Sequence, residues 1–406
     1  MEVKAMTKTN IAGALSGKKL KASLGQSLFS LSFDLIGLAT GTLFLLLYFS
    51  IDEAPWVIAL FPGILSVRGA IGGLFSGRLG TSLHLGTIKP VFTKNTKEFG
   101  ALLRVVITLA LMSGISVGAG TWVFGVFLWD ATIVDLFPLL AVIISTMALS
   151  VVFVSPLTML FSVFSFRRGL DPDVVVYPIT SPVSDIINTG CYGLSLSLFF
   201  LFGSIGRYLI FFIDIIFISW VIYIIVRNIG ETKFVGTIQE FIPTLLFVSF
   251  IVNVTGSLLD RINGTRMVAV YPAIIATIGG VGSIIGSTAT TKLALGLIMP
   301  SFSSLKEHIN EVGGAWLASI VMFLVYALLS VFISGVNTLE ELLVFTGQLL
   351  TTNVVAVAVM LFVAYAVAIS TFRRGLNPDN FVIPVESSLA DTVTTAAALL
   401  ALALIV

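Results

Sequence analysis

Apolar residues along this chain do not alternate with polar ones. From residue 24 to the C-terminus they form runs of about twenty, separated by short segments that hold most of the charges. Wound as a helix, a run of that length crosses a hydrocarbon core roughly 30 Å thick. Strands of an outer-membrane barrel would alternate over roughly ten residues, and these runs do not. Dividing the chain at charge clusters and prolines predicts eleven spans, over residues 23–49, 55–86, 99–128, 133–165, 182–203, 207–227, 238–259, 268–298, 312–335, 340–370 and 383–406. The expected fold is therefore all-α, a polytopic membrane protein.

Composition agrees. Of 406 residues 57% are hydrophobic and 11% charged, against roughly 25% charged in soluble domains, so the lipid bilayer is the expected solvent. A net charge of +1 gives no electrostatic case for nucleic acid. The single cysteine, Cys191, lies in an apolar run and reads as a core residue. Residues 1–22 hold five lysines and no apolar stretch or cleavage site ahead of the first span, which reads as a cytoplasmic tail.

Short-loop Lys and Arg accumulate on the cytoplasmic side of a membrane. With the N-terminus inside, Lys89, Lys94, Lys97 and Arg104 fall inside, as do Arg167, Arg168, Arg227, Lys233, Lys306, Arg373 and Arg374. The acidic turns at Asp52, Glu53, Asp130, Asp135, Glu340 and Glu341 then fall outside. Eleven spans put the C-terminus outside, and the cell membrane is the expected location.

The sequence also repeats. Shifted by 206 positions, Phe166-Arg167-Arg168-Gly169-Leu170-Asp171-Pro172-Asp173 falls on Phe372-Arg373-Arg374-Gly375-Leu376-Asn377-Pro378-Asp379. The match continues through Pro178 and Pro384, Ser181 and Ser387, Asp185 and Asp391, and Thr189 and Thr395. At an offset near 210 the glycine-rich second spans match: Phe61-Pro62-Gly63 with Tyr271-Pro272-Ala273, and Gly69, Gly72, Gly86 and Pro90 with Gly279, Gly282, Gly296 and Pro300. The expected organisation is a tail (1–22), a five-helix repeat (23–205), a linking helix (206–230) and a second five-helix repeat (231–406). Five spans per repeat would invert the second copy. The linking helix restores its orientation, so the repeats are parallel, related by a pseudo-two-fold axis along the membrane normal.

Intramembrane acids are functional candidates by default, because an ionised carboxylate in hydrocarbon costs several kcal/mol. Asp185 and Asp391 each lie in the last span of a repeat, beyond a proline-containing loop, with Ser four residues before and Thr four after. At 3.6 residues per turn, Ser181, Asp185 and Thr189 form one polar stripe and Ser387, Asp391 and Thr395 another. Two such stripes, with water, suit a hard divalent cation such as Mg²⁺, and their symmetry implies one shared ion. Asp34 and Asn253, in the first span of each repeat, are candidates to extend the path. Asp214 in the linking helix has no repeat partner and is expected to pair with Arg207 or to face a partner subunit. Asp260 reads as a residue of the outer mouth, and Asp173 and Asp379 as caps or ion-pair partners of the nearby arginines. His84 and His308 lack ligand spacing, and one cysteine cannot make a soft-metal site.

Leu60-Phe61-Pro62-Gly63-Ile64-Leu65-Ser66-Val67-Arg68-Gly69 with Gly77-Arg78-Leu79-Gly80-Thr81 resembles the second-helix signature of the MgtE-type magnesium transporter family, in particular its two-repeat solute-carrier branch. Gly256-Ser257-Leu258-Leu259-Asp260 resembles the end of that family's first helix. Gly375-Leu376-Asn377-Pro378-Asp379-Asn380 with Pro384, Ser387 and Asp391 resembles its most recognisable loop and last helix. The resemblance implies a Mg²⁺ pathway lined by the second and fifth helices of each repeat, with Asp185 and Asp391 at the central ion site. Where that branch carries Asn and Glu in the second helix, this chain has Ala70 and Gly72, and Gly280 and Gly282. Residues 1–22 are too few for the large cytoplasmic sensor domain of bacterial relatives.

Together these observations lead to a divalent-cation transporter or channel, with Mg²⁺ as the transported ion, no resident cofactor, and both halves of the pore in one monomer. A Na⁺- or proton-coupled exchanger stays open at this point, since carboxylates serve those ions too. A membrane-embedded enzyme stays as the weaker alternative, since no nucleophile with a base, no zinc ligand set and no cofactor motif stands out in the sequence. The parallel-repeat topology predicts that single cysteines placed at Arg167 and Arg373, in a Cys191→Ala background, react with an impermeant thiol reagent from the cytoplasmic side alone. Labelling of the two loops from opposite sides would exclude it.

Overall fold

The computed structural model describes residues 2–48, 54–84, 86–92, 94–168, 172–259, 261–262, 265–294, 296–334, 338–374 and 379–405. These residues form helices and turns only. In chain order the helices are α1 (Glu2–Leu31), α2 (Ile36–Tyr48), α3 (Trp56–His84), α4 (Lys97–Leu128), α5 (Ile133–Arg167), α6 (Pro172–Phe200), α7 (Gly203–Asn228), α8 (Thr232–Leu259), α9 (Thr265–Ala294), α10 (Ile309–Ser334), α11 (Leu339–Arg373) and α12 (Asp379–Leu404). Short 3₁₀ turns occupy Ser32–Leu35 and Phe302–Glu307.

Nine segments among the described residues are long and apolar enough to cross a membrane, one of them joining α1 to α2 as Gly17–Leu46. At 29 and 26 residues, α6 and α12 have the length as well. All eleven expected spans are thus helical, and the protein is an all-α polytopic membrane protein. Two features differ from the sequence reading. The first span is not one smooth helix, because the 3₁₀ turn at Ser32–Leu35 interrupts it at Asp34. The segment expected as a proline-containing loop ahead of the fifth span is also helical from Pro172 on, where α6 begins. Proline is well placed there, because the first helical residue has no intrahelical N–H bond to lose. Asp185 therefore lies about 20 Å along α6 rather than at its start, and it does not cap the helix.

Caps elsewhere follow the charge pattern. The Asp135 carboxylate accepts the Thr132 backbone N–H at 2.8 Å at the start of α5, and the Thr338 hydroxyl accepts the Glu341 N–H at 3.2 Å at the start of α11. Acidic residues in a first helical turn also complement the helix dipole.

The helices form two compact units, one comprising residues 1–38 and 264–406, the other residues 39–263. In the first unit α9 lies against α10, α11 and α12, and α1 lies against α10 and α9. In the second unit α3 lies against α4, α5 and α6, α8 lies against α3 and α4, and α7 covers α5 and α6. Packing units and sequence repeats therefore divide the chain differently. The helix that opens the chain packs with the helices of the second repeat, and α8, which follows the linking helix, packs with those of the first.

Within each unit the same small devices recur. The Arg167 Nε donates to the Pro90 carbonyl at 2.9 Å in one unit, and the Arg373 Nε to the Pro300 carbonyl at 2.9 Å in the other. Gly86 and Gly296 follow the second helix of each repeat with φ of 71° and 67°, a left-handed conformation that costs glycine little. Backbones also approach closely at glycines in each unit. Gly37 faces the backbone of Pro272 and Ala273, and Gly256 faces the backbone of Ala59, as small residues allow in membrane helix pairs.

A methyl at position 256 would have to displace the backbone of α3, whereas Gly236 on the same helix has open space around it. Gly256→Ala is thus expected to destabilise the protein by about 1–3 kcal/mol and Gly236→Ala to leave it unchanged. Thermal unfolding of both variants in detergent, followed by size-exclusion chromatography, checks this. Equal melting temperatures would remove the close-approach argument.

Candidate functional site

Of the two predicted stripes, the one on α6 is described in full. Asp185 is partly exposed, its side chain at 24%, and its neighbour is Arg68 on α3, whose side chain is 8% exposed. One guanidinium nitrogen, Nη2, reaches three oxygens of α6: the Ser181 carbonyl at 3.1 Å, the Ser181 hydroxyl at 3.3 Å and the Asp185 carboxylate. The ion pair therefore neutralises the acid from within the membrane-spanning bundle. The loop arginines have other roles: Arg167 braces Pro90, and Arg168 stacks over the Phe164 ring at 4.8 Å.

Further polar atoms continue along α6. Ser184 Oγ, Asn188 Nδ2 and Thr189 Oγ1 are buried without a hydrogen-bond partner among the described residues, although Ser150 on α5 donates to Asn188 Oδ1. Unpaired buried polar atoms are scarce in proteins, and here three occupy successive positions beside an intramembrane acid. Next to Arg68 lies a cavity of about 30 Å³, lined in part by Gly72, Ser150, Ser155 and Thr158, room for a water or two.

The other unit offers a different arrangement. Asp391 on α12 is buried at 9% exposure. The Thr395 hydroxyl bonds the Asp391 backbone carbonyl at 2.6 Å and meets the Tyr271 hydroxyl at 2.9 Å. Ser387 belongs to α12, but its side chain lies outside the described residues. Asp34, in the 3₁₀ turn, accepts from the Thr277 hydroxyl of α9 at 3.1 Å, and Thr277 in turn meets the Tyr326 hydroxyl at 2.7 Å. Between these groups runs the glycine-rich part of α9. A Cβ at Gly279 would sit 3.6 Å from Ala390, next to Asp391, and one at Gly280 would sit 3.9 Å from the Asp34 carboxylate. The unit thus brings Asp34, and the turn of α12 that carries Ala390 and Asp391, to the same short stretch of α9.

The remaining candidates are placed as follows. Asn253 on α8 accepts from the Thr121 hydroxyl of α4 at 2.6 Å and donates to the Ser249 carbonyl at 2.6 Å, a bridge between two helices. Asp214 is central to the buried face of α7 at 6% exposure, with Oδ1 unpartnered among the described residues. Its expected partner is engaged elsewhere: Arg207 donates to the Phe199 carbonyl at 3.3 Å and stacks over the Phe199 ring. His308 is fully buried between Thr288 and Tyr365, at 2.8 and 2.5 Å. The side chains of Asp173, Asp379 and His84, and all of Asp260, lie outside the described residues. Among the described residues no three His, Cys, Asp or Glu side chains converge as a metal cage.

Sequence reasoning passed over Arg68, although it stands inside the quoted second-helix motif. The signal was available, because an arginine within an apolar span needs a partner as much as an aspartate does. The position one repeat further on, residue 278, is isoleucine. By this measure the two stripes are not the equal pair that the repeat implied.

Membrane-spanning helices carrying acids and hydroxyls in their apolar interior define an ion-transport protein. A sequence model of the MgtE divalent cation transporter family matches residues 61–195 and 271–401. Together the two matches cover more than half of the chain and fall on both repeats, and the protein belongs to this family. No curated protein and no solved structure matches the chain.

Proposed function

We propose that the protein carries Mg²⁺ across the cell membrane, with its N-terminus in the cytoplasm and its C-terminus outside. Oxygens alone coordinate the ion: in one unit the carboxylates of Asp34 and Asp391 with the hydroxyls of Ser387 and Thr395 and water, and in the other, considered by itself, the carboxylate of Asp185 with the hydroxyls of Ser181 and Thr189. Asn253 supports the path by holding α8 to α4. The observation that carries this reading is that, within a single unit, the Asp34 carboxylate approaches Gly280 of α9 while Ala390, the neighbour of Asp391 on α12, meets Gly279. The glycines let the neighbouring segments, with their acids, come close to α9, and Mg²⁺ retains several of its waters when bound. An ion that keeps its waters needs few protein ligands, so two carboxylates suffice where a dehydrated cation would need a cage.

One observation favours the proton-coupled exchanger as a second reading. Asp214 is a buried carboxylate in the linking helix with an oxygen unpartnered among the described residues, and intramembrane carboxylates serve as proton carriers in pumps and transporters. Purified protein in liposomes, assayed for uptake of Mg²⁺, Mn²⁺ and Ca²⁺ with and without a Na⁺ or pH gradient, separates the two. Mg²⁺ uptake driven by its own gradient is expected, and strict dependence on a proton gradient would transfer support to the exchanger. Asp391→Asn and Asp34→Asn should each lower uptake at least about tenfold, a loss of roughly 1.4 kcal/mol in transition-state stabilisation or more, while the variants elute as the wild type does. Unchanged uptake in both variants would refute the assignment of the path.

A further inference from the structure

The two repeats keep their aspartates but differ in what faces them, and this difference carries an inference that rests on the transport reading above. We infer that Arg68 is a tethered cation, which occupies the Asp185 stripe of its own unit and which a transported ion must displace to reach that carboxylate.

Four observations lead there. First, the three oxygens that Arg68 Nη2 contacts, two on Ser181 and one on Asp185, are oxygens the α6 stripe would offer to a metal ion. A guanidinium and a divalent cation cannot hold the same carboxylate at once without strong like-charge repulsion. Second, the arginine is not fully satisfied where it lies, since its Nε is buried without a hydrogen-bond partner among the described residues. Third, it has somewhere to turn. The adjoining cavity of about 30 Å³ carries the polar side chains of Ser150, Ser155 and Thr158, and the open side of Gly72 lies 3.7 Å from Arg68 Nη1. Fourth, the fold does not require a cation opposite this aspartate. At position 278, the repeat equivalent of Arg68, a fully buried isoleucine stands while Asp391 is retained.

The consequence is a division of labour. Asp185 becomes available to an ion only when Arg68 swings aside, whereas no arginine stands at the repeat equivalent of Arg68 beside α12. Arg68 thereby lowers the resting affinity of the path and couples ion arrival to a movement between α3 and α6. Isosteric loss of the guanidinium should tighten cation binding, which is the opposite of what removing a structural strut would do.

Mg²⁺ uptake by liposomes and Mg²⁺-dependent thermal stabilisation in detergent test this on the full chain, with wild type, Arg68→Ile and Arg68→Ile/Asp185→Asn. In Arg68→Ile the half-saturating Mg²⁺ concentration is expected to fall about tenfold, and Mg²⁺ should raise the melting temperature more than in wild type. Adding Asp185→Asn should remove both gains. A half-saturating concentration that stays the same or rises in a folded Arg68→Ile protein would overturn the inference. Should that variant fail to fold, Arg68→Gln carries the same expectations and the same refutation. If both variants are unfolded even in excess Mg²⁺, Arg68 is a strut and the inference is wrong. Wild type that moves no divalent ion would count against the transport reading instead, and the thermal shifts would then decide the role of Arg68 alone.

Discussion

A carboxylate among apolar helices has to be neutralised or supplied with hydrogen bonds, because hydrocarbon offers it neither. Much of this architecture meets that demand. Arg68 answers Asp185 directly. Asp34 is met by a chain of hydroxyls, Thr277 and then Tyr326, and it stands where the first span is broken into a 3₁₀ turn. Such interruptions are tolerated at membrane depth where the exposed backbone is buried in protein or lines a polar cavity. Glycines of α9 complete the arrangement by letting the broken segment approach. Backbone irregularity, small residues and intramembrane acids therefore occur together because each makes the others affordable.

The duplication supplied two copies of one plan, and the copies have since drifted in their polar detail. Tyr271 meets the Thr395 hydroxyl; its repeat counterpart is Phe61, which has no hydroxyl, and Thr189 Oγ1 is left without a partner among the described residues. Tyr192 donates to the Val57 carbonyl at 2.7 Å, while its counterpart Ala398 can donate nothing from its side chain. Braces at the loops, by contrast, are the same in both copies, down to the arginine on a proline carbonyl. In these pairs the copies have diverged in the interior while the loops have kept their braces.

Much of this was legible from residue order alone. Length and apolarity located the spans, because lipid imposes both, and the repeated Arg-Arg-Gly-Leu segment exposed the duplication. Asp185, Asp391 and Asp34 stood out as charges in hydrocarbon. What escaped was anything that depends on the register between helices. Pairing Arg68 with Asp185 requires knowing that α3 and α6 are neighbours and which turns meet, and neither follows from the spacing within one helix. The run of α6 back to Pro172 escaped for a different reason, since Pro178 reads as a loop residue in the sequence and is accommodated within the helix, as prolines are within α3, α5, α8 and α9. The bridge from Asn253 to Thr121 likewise could not be seen, because the two residues belong to segments that the repeat assigns to different copies.

That last point reaches into biosynthesis. Membrane helices enter the bilayer in the order of translation, yet α1 belongs by its packing to a unit whose other helices come from residues 264–406. It must wait in lipid, a helix with its polar serines and Asp34 unanswered, while most of the chain is made. The other unit, in contrast, closes as soon as α8 has been inserted. A ribosome that stalls between α8 and α9 would therefore leave one unit complete and one orphaned helix beside it, and quality control at the membrane would meet that species as its natural substrate.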